Sequence, residues 1–318
     1  MIAISETGGI DWHGVSAGLS LIFSEGVAQL PVAVEPTAET NLIQGLIRAF
    51  ILGIVQGLTE FLPISSTAHL QVFTKALGWE TVGAKPFLAT IQFGSVVAVL
   101  IYFWADITQI LTGGWKAIRQ RDWQREEWQL LVGIGIGTLP ILVGGLLLKK
   151  ALNDDSSTIN SMTTIAVASI GMALLLGAGE RLGSRKRGFS SVTLRDGILM
   201  GLGQMLALVP GVSRSGSTIT AGLFLGLQRQ TAARFSFLMG IPALTIATLY
   251  EFFKEALGKI DLALVVMGIL SAFVFSYLSI AWLLRYLQTR NTWIFVWYRL
   301  AFGVAILGAV AAGLLENR

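Results

Sequence analysis

Six stretches of this chain, near residues 86–104, 130–148, 162–180, 235–253, 262–285 and 293–315, are apolar over lengths close to a bilayer crossing. A helix rising about 1.5 Å per residue needs roughly 20 such residues to cover the hydrocarbon core. In lipid every backbone polar group must find its partner inside the protein, which leaves the helix as the natural spanning element here. The expected class is an all-α integral membrane protein. Composition agrees: 53% of the 318 residues are hydrophobic and 13% charged, where soluble domains carry about 25% charged residues.

The net charge of +4 does not point to nucleic acid, because the basic residues sit in short loops between apolar runs. Lys116, Arg119, Arg121 and Arg125 form one group, and Arg181, Arg185, Lys186, Arg187 and Arg195 another. Arg229 with Arg234, and Arg285 with Arg290, follow at later boundaries. This is the positive-inside pattern of a cytoplasmic face. The chain has no cysteine, which excludes disulfides, thiolate nucleophiles and cysteine metal sites. Residues 1–40 carry five acidic residues, and no Lys or Arg precedes Arg48. They lack the basic start of a signal peptide and are expected to form a non-cytoplasmic extension ahead of a membrane domain at 41–318.

Two more apolar stretches, near 42–80 and 197–228, are interrupted by Leu62-Pro63-Ile64-Ser65-Ser66 and by Val209-Pro210-Gly211-Val212-Ser213. Proline breaks a helix, and backbone freed at membrane depth must be buried in protein or line a wet cavity. Both stretches are expected to be re-entrant helix pairs. With six crossings, every basic group then falls on the cytoplasmic side, and both termini and the first re-entrant pair face outward. At a constant offset of 148 (Gln56 to Gln204), Gly53 meets Gly201, Leu58 Leu206, Ser65 Ser213 and Phe87 Phe235. Three crossings separate the two stretches, so the repeat halves, about 42–148 and 197–285, are expected in inverted topology with their broken helices meeting near the midplane.

The chemistry lies at the interruptions. Gln56 and Glu60 stand four apart, on one helical face, and an acid inside a membrane segment usually faces a partner or a watery cavity. A purely structural Glu60–arginine pair, with Ser65, Ser66 and Thr67 as helix caps, is the alternative. His69 is one of two histidines, the other being His13. The second interruption, Pro210 to Thr218, sets Ser213, Arg214, Ser215 and Thr218 at the start of a helix expected over 216–227. Backbone amides, hydroxyls and a guanidinium fork there make a cradle for phosphate oxygens. It is not a P-loop. Superposed halves would set an acid and hydroxyls against the arginine, the inventory of phosphoryl transfer. A transporter or flippase of an anionic polyprenyl lipid is the competing reading of such broken helices, although transport has no need of an acid, a hydroxyl and an imidazole together.

These segments resemble the undecaprenyl-pyrophosphate phosphatase family of the bacitracin-resistance type, with signatures (Glu/Gln)-x3-Glu and Pro-Gly-x-Ser-Arg-Ser-x2-Thr. Residues 56–60 and 210–218 match both, and the likeness runs over roughly 42–315. It implies hydrolysis of undecaprenyl pyrophosphate at a site open to the periplasm of a bacterial cytoplasmic membrane. By motif position, Glu60 and Gln56 would hold a divalent cation, Mg2+ or Ca2+, or orient water. Ser66 would be the nucleophile, or would align the phosphate for direct attack by water, and His69 would act as acid or base. Arg214, with Ser65, Thr67, Ser213, Ser215 and Thr218, would bind the pyrophosphate. Gln56 stands where many relatives have a carboxylate, which weakens the expected metal site. The oligomeric state is open, a homodimer being one expectation.

Overall fold

The computed structural model describes residues 38–79, 82, 84–153, 157–253 and 261–317. The proposed extension at 1–40 therefore lies almost wholly outside the described residues. The chain divides into two compact units at Gln44, and the larger, Gly45–Arg318, carries both helix breaks. Among the described residues there are eleven α-helices and no strand. They are α1 (Ala38–Phe61), α2 (Ser66–Ala76), α3 (Lys85–Tyr102), α4 (Trp104–Gln120), α5 (Glu126–Asn153), α6 (Met162–Leu182), α7 (Leu194–Met205), α8 (Arg214–Phe224), α9 (Arg229–Glu251), α10 (Leu262–Thr289) and α11 (Trp293–Ala311). Seven of these, α1, α3, α5, α6, α9, α10 and α11, are long and apolar enough to cross a membrane.

Both interruptions behave as proline and local capping dictate. Helix α1 stops at Phe61, two residues before Pro63, and the chain restarts at Ser66. Ser65 takes φ 77° and its Oγ caps the Ala68 N–H; Ser213 takes φ 75° and caps the Gly216 N–H at 3.1 Å. Two non-glycine residues at such φ values represent stored strain of about 1–3 kcal/mol each, a cost met where surrounding structure dictates the conformation. Each break opens an 11-residue helix, Ser66–Ala76 and Arg214–Phe224, so the two segments match locally at the offset of 148 seen in the sequence. Gly211 adds the sharpest bend: its φ is 96°, and a Cβ there would lie 2.4 Å from the Ile165 carbonyl oxygen.

Close helix approach fixes where these turns meet. Cβ atoms at Gly53 and Gly57 would strike the α10 carbonyls of Gly268 and Ala272, at 2.6 and 2.7 Å. On α7, Cβ atoms at Gly197 and Gly201 would fall 2.5 Å from Gly133 Cα and 2.3 Å from the Gly137 carbonyl oxygen of α5. Small residues of this kind let backbones touch where lipid offers no hydrophobic drive between helices. Behind the turns, Phe61 and Phe237 meet edge to face at 5.3 Å, with Phe103 6.2 Å from Phe237. At the far end of α6, the buried Glu180 ties Arg229 and Thr292 together, and Arg187 grips Asp196 through two bonds of 2.8 and 2.6 Å.

Two expectations need correction. The segment carrying Lys116 and Arg119 is not a loop but the helix α4, ended by Arg121 in a left-handed conformation. Its buried edge, Ile110, Gly113, Gly114 and Ala117, packs inward while Leu111, Trp115 and Ile118 stay exposed, so charge density concealed an amphipathic helix. The helix after the second break runs over Arg214–Phe224, starting earlier than 216 because Ser213 caps it. The two arms leading into the breaks also differ: α1 reaches spanning length, with Asn41–Phe61 apolar enough to cross, whereas α7 has 12 residues.

Candidate active site

Glu60, in the last turn of α1, gathers three side chains. Ser66 Oγ donates to its Oε2 at 2.7 Å, Gln56 Nε2 donates to the same oxygen at 3.1 Å, and Arg214 Nη2 reaches Oε1 at 3.2 Å. The acid of the first interruption thus meets the arginine of the second. Both side chains are nearly buried, at 6% and 9% exposure, so each is a charge that would be costly to leave alone. Gln56 also approaches Ser95 Oγ on α3 at 3.4 Å, and Ser95 accepts from Ser276 of α10 at 2.8 Å.

Arg214 is held from several sides. Its Nη1 lies 3.5 Å from the Ser236 carbonyl, its guanidinium sits 5.8 Å from the Phe61 ring, and its buried Nε–H has no partner among the described residues. The residue best suited to phosphate thus keeps one donor that the described residues do not satisfy. Ser215 Oγ donates to the Leu62 carbonyl at 2.9 Å, a direct link between the two turns, and lies 3.2 Å from Ser213 Oγ. Thr218 Oγ1 bonds back to the Arg214 carbonyl at 2.8 Å and meets Ser236 Oγ at 2.5 Å. Those hydroxyls build the cradle wall more than its floor. Thr67 is exposed.

His69 is buried, and both its nitrogens are engaged. Nδ1 donates to the Ser65 carbonyl at 2.7 Å, and Nε2 meets the Tyr298 hydroxyl at 2.7 Å. A carbonyl only accepts, so the neutral ring carries its proton on Nδ1 and takes the Tyr298 hydrogen on Nε2. Its ring stacks on Phe302 at 4.2 Å. The structure brings Gln56, Glu60, Ser66 and Arg214 together and places His69 against Ser65, without a direct bond to Ser66 or Glu60. Sequence reasoning missed Ser95, Ser236, Tyr298 and Arg299. Only Arg299 carried a signal, as a lone cation within an apolar stretch.

Gly240 on α9 guards the guanidinium. A Cβ there would fall 2.1 Å from Arg214 Nη1 and 2.7 Å from its Cζ. Gly240→Ala should therefore push the guanidinium off Glu60 while leaving the fold intact. Displacement by about 1 Å can lower a rate about 100-fold. We expect a loss of that order in turnover, with a thermal midpoint near wild type; unchanged turnover would show that Arg214 tolerates another position.

One carboxylate and one amide are available for a cation: Glu60 and the Gln56 carbonyl oxygen. No group of three or more His, Cys, Asp or Glu side chains able to hold a metal occurs among the described residues. The donor set does not make a protein cage, but it fits a hard cation that takes its remaining ligands from phosphate oxygens and water.

The fold and site define a multi-pass helical membrane protein that assembles an acid, a hydroxyl and an arginine at two facing helix breaks. Residues 49–305 match the family described as bacitracin resistance protein BacA, and the chain belongs to that family. A protein named undecaprenyl-diphosphatase from Trichormus variabilis is 53% identical over 313 residues, covering 95% of each chain. Proteins of the same name from Nostoc sp. and Synechocystis sp. are 57% identical over 277 residues, 86% of each chain, and 49% identical over 312 residues, 94% of this chain and 95% of the relative.

Proposed function

We infer that this chain hydrolyses undecaprenyl pyrophosphate to undecaprenyl phosphate and inorganic phosphate, returning the lipid carrier to cell-wall synthesis and supporting bacitracin resistance. The observation that carries the reading is the Glu60 carboxylate, which holds Ser66 Oγ on one oxygen and Arg214 on the other. A nucleophile hydrogen-bonded to a base, with a fixed cation alongside, is the arrangement for activated attack on a phosphoryl group.

In the proposed mechanism, Ser66 Oγ attacks the terminal phosphorus as its proton passes to Glu60 Oε2. The bond from that phosphorus to the bridging oxygen breaks, and the electron pair departs with the lipid monophosphate. Arg214 balances charge developing on the transferred group. Water then cleaves the phosphoserine and releases inorganic phosphate. Ser65, Thr67, Ser213, Ser215 and Thr218 are the proposed pyrophosphate-binding set by motif position, with Ser215 and Thr218 shaping the cradle from fully buried positions. His69, one turn beyond Ser66, is the proposed acid–base group and connects outward through Tyr298. A divalent cation, Mg2+ or Ca2+, held by Glu60 and Gln56, would neutralise part of the pyrophosphate charge when bound.

We further propose six crossings and two re-entrant pairs in inverted repeats, within a bacterial cytoplasmic membrane, with both termini and the site toward the periplasm. The matching serine caps, similar φ values and equal helix lengths at Ser65 and Ser213 support the repeat, and the basic clusters support the orientation. The test is inorganic phosphate release from a polyprenyl pyrophosphate by detergent-purified protein, with divalent cation and after chelation. Wild type should release phosphate and lose at least about tenfold on chelation, while Glu60→Ala and Arg214→Ala should each fall to about a thousandth of the wild-type rate or less. Lipid binding without release under any cation would transfer the site to a transport role.

A further inference from the structure

We propose that Arg299 is a positioning residue that locks the two active-site turns together and keeps a guanidinium behind the anion site. It deepens the phosphatase reading and rests on it. Arg299 is fully buried, the largest such side chain among the described residues. Its Nη1 donates to the Pro63 carbonyl at 2.9 Å, and its Nη2 to the Gly211 and Val212 carbonyls at 2.7 and 3.0 Å. Its Nε donates to the Ser169 carbonyl of α6 at 3.2 Å. One guanidinium therefore grips the first turn, the second turn and a spanning helix.

The choice of partners is informative. Interrupted helices release carbonyl groups that lipid cannot satisfy, and Arg299 takes them from both breaks at once. Pro63 lies three residues after Glu60 and three before Ser66, and Val212 lies two before Arg214. Fixing those carbonyls fixes the separation of the acid and nucleophile from the phosphate-binding arginine. The N-terminus of α8 closes on the same group, since a Cβ at Gly216 would lie 3.1 Å from Nη1. The preceding residue, Tyr298, holds His69, so one turn of α11 braces both halves. All four partners are neutral carbonyls, and no carboxylate pairs with Arg299 among the described residues; its charge is left to act on an incoming anion. Lysine cannot reproduce this, because a single ammonium lacks the planar fork that spans three segments.

The absence of cysteine makes a distance measurement direct. Leu77 and Leu206, each 49% exposed and outside the site, can be changed to cysteine and spin-labelled to report the spacing of the two broken segments. With Arg299 present, the labelled protein should give one narrow distance and wild-type phosphate release. Arg299→Lys should broaden the distance and lower turnover about 100-fold, mostly in kcat. Combined with Arg214→Ala, it should add less than about threefold, since residues acting as one unit are not additive. An unchanged distance with lost activity, near-normal activity, or a fully additive double variant would overturn the proposal. If Arg299→Lys does not fold, Arg299→Gln takes its place; if neither folds, Arg299 is a folding determinant and the positioning role is withdrawn. Failure of wild type to release phosphate would instead strike the phosphatase reading.

Discussion

Arg214→Lys is expected to release phosphate at about a thousandth of the wild-type rate or less, close to Arg214→Ala, because arginine placed on a transferring phosphoryl group is worth roughly 10³–10⁵ in turnover. The two variants should part company in stability. Lysine keeps a positive charge near Glu60, whereas alanine strands a nearly buried carboxylate, and removing one partner of a buried pair destabilises by about 3 kcal/mol or more. Lysine should thus be folded and inactive, with a thermal midpoint near wild type, and alanine inactive with a lowered one. The reason is geometric: Nη2 is committed to Glu60, Nη1 leans toward Ser236, and the free Nε–H completes a fork that an ammonium cannot form. Turnover within tenfold of wild type in the lysine variant would show that a point charge suffices.

The breaks were legible because proline at 63 and 210 cannot continue a helix whatever surrounds it. The positive φ of Ser65 and Ser213 was not, since serine rarely adopts it and tertiary packing imposes it. Glu60 and Arg214 were legible as charges in apolar surroundings. Arg299 obeys the same rule, yet its stretch, 293–315, has no proline or serine break to draw attention, and its role depends on carbonyls 87 or more positions away. Ser95 and Ser236 carry no pattern at all: a serine on an apolar helix reads alike whether it bonds an active-site residue or its own backbone. The helix α4 was hidden because periodicity within a charged segment was read as loop composition.

Glu60→Gln and Ser66→Ala test whether the closest contact in the site is the chemical one. The amide keeps the shape of Glu60 but cannot take the Ser66 proton, and loss of a positioned base lowers rates by about 10²–10⁴. Ser66→Ala should fall into the same range, and the double variant should be no slower than the worse single, as expected of a nucleophile and its base acting together. Rapid acid quenching with substrate labelled in the terminal phosphate adds an independent readout: wild type should retain label on the protein, Glu60→Gln should acquire it slowly, and Ser66→Ala should show none. If Ser66→Ala instead keeps more than a tenth of the wild-type rate, water attacks directly. The 2.7 Å contact then only aligns phosphate, Glu60 becomes the base toward water, and the two substitutions should act additively.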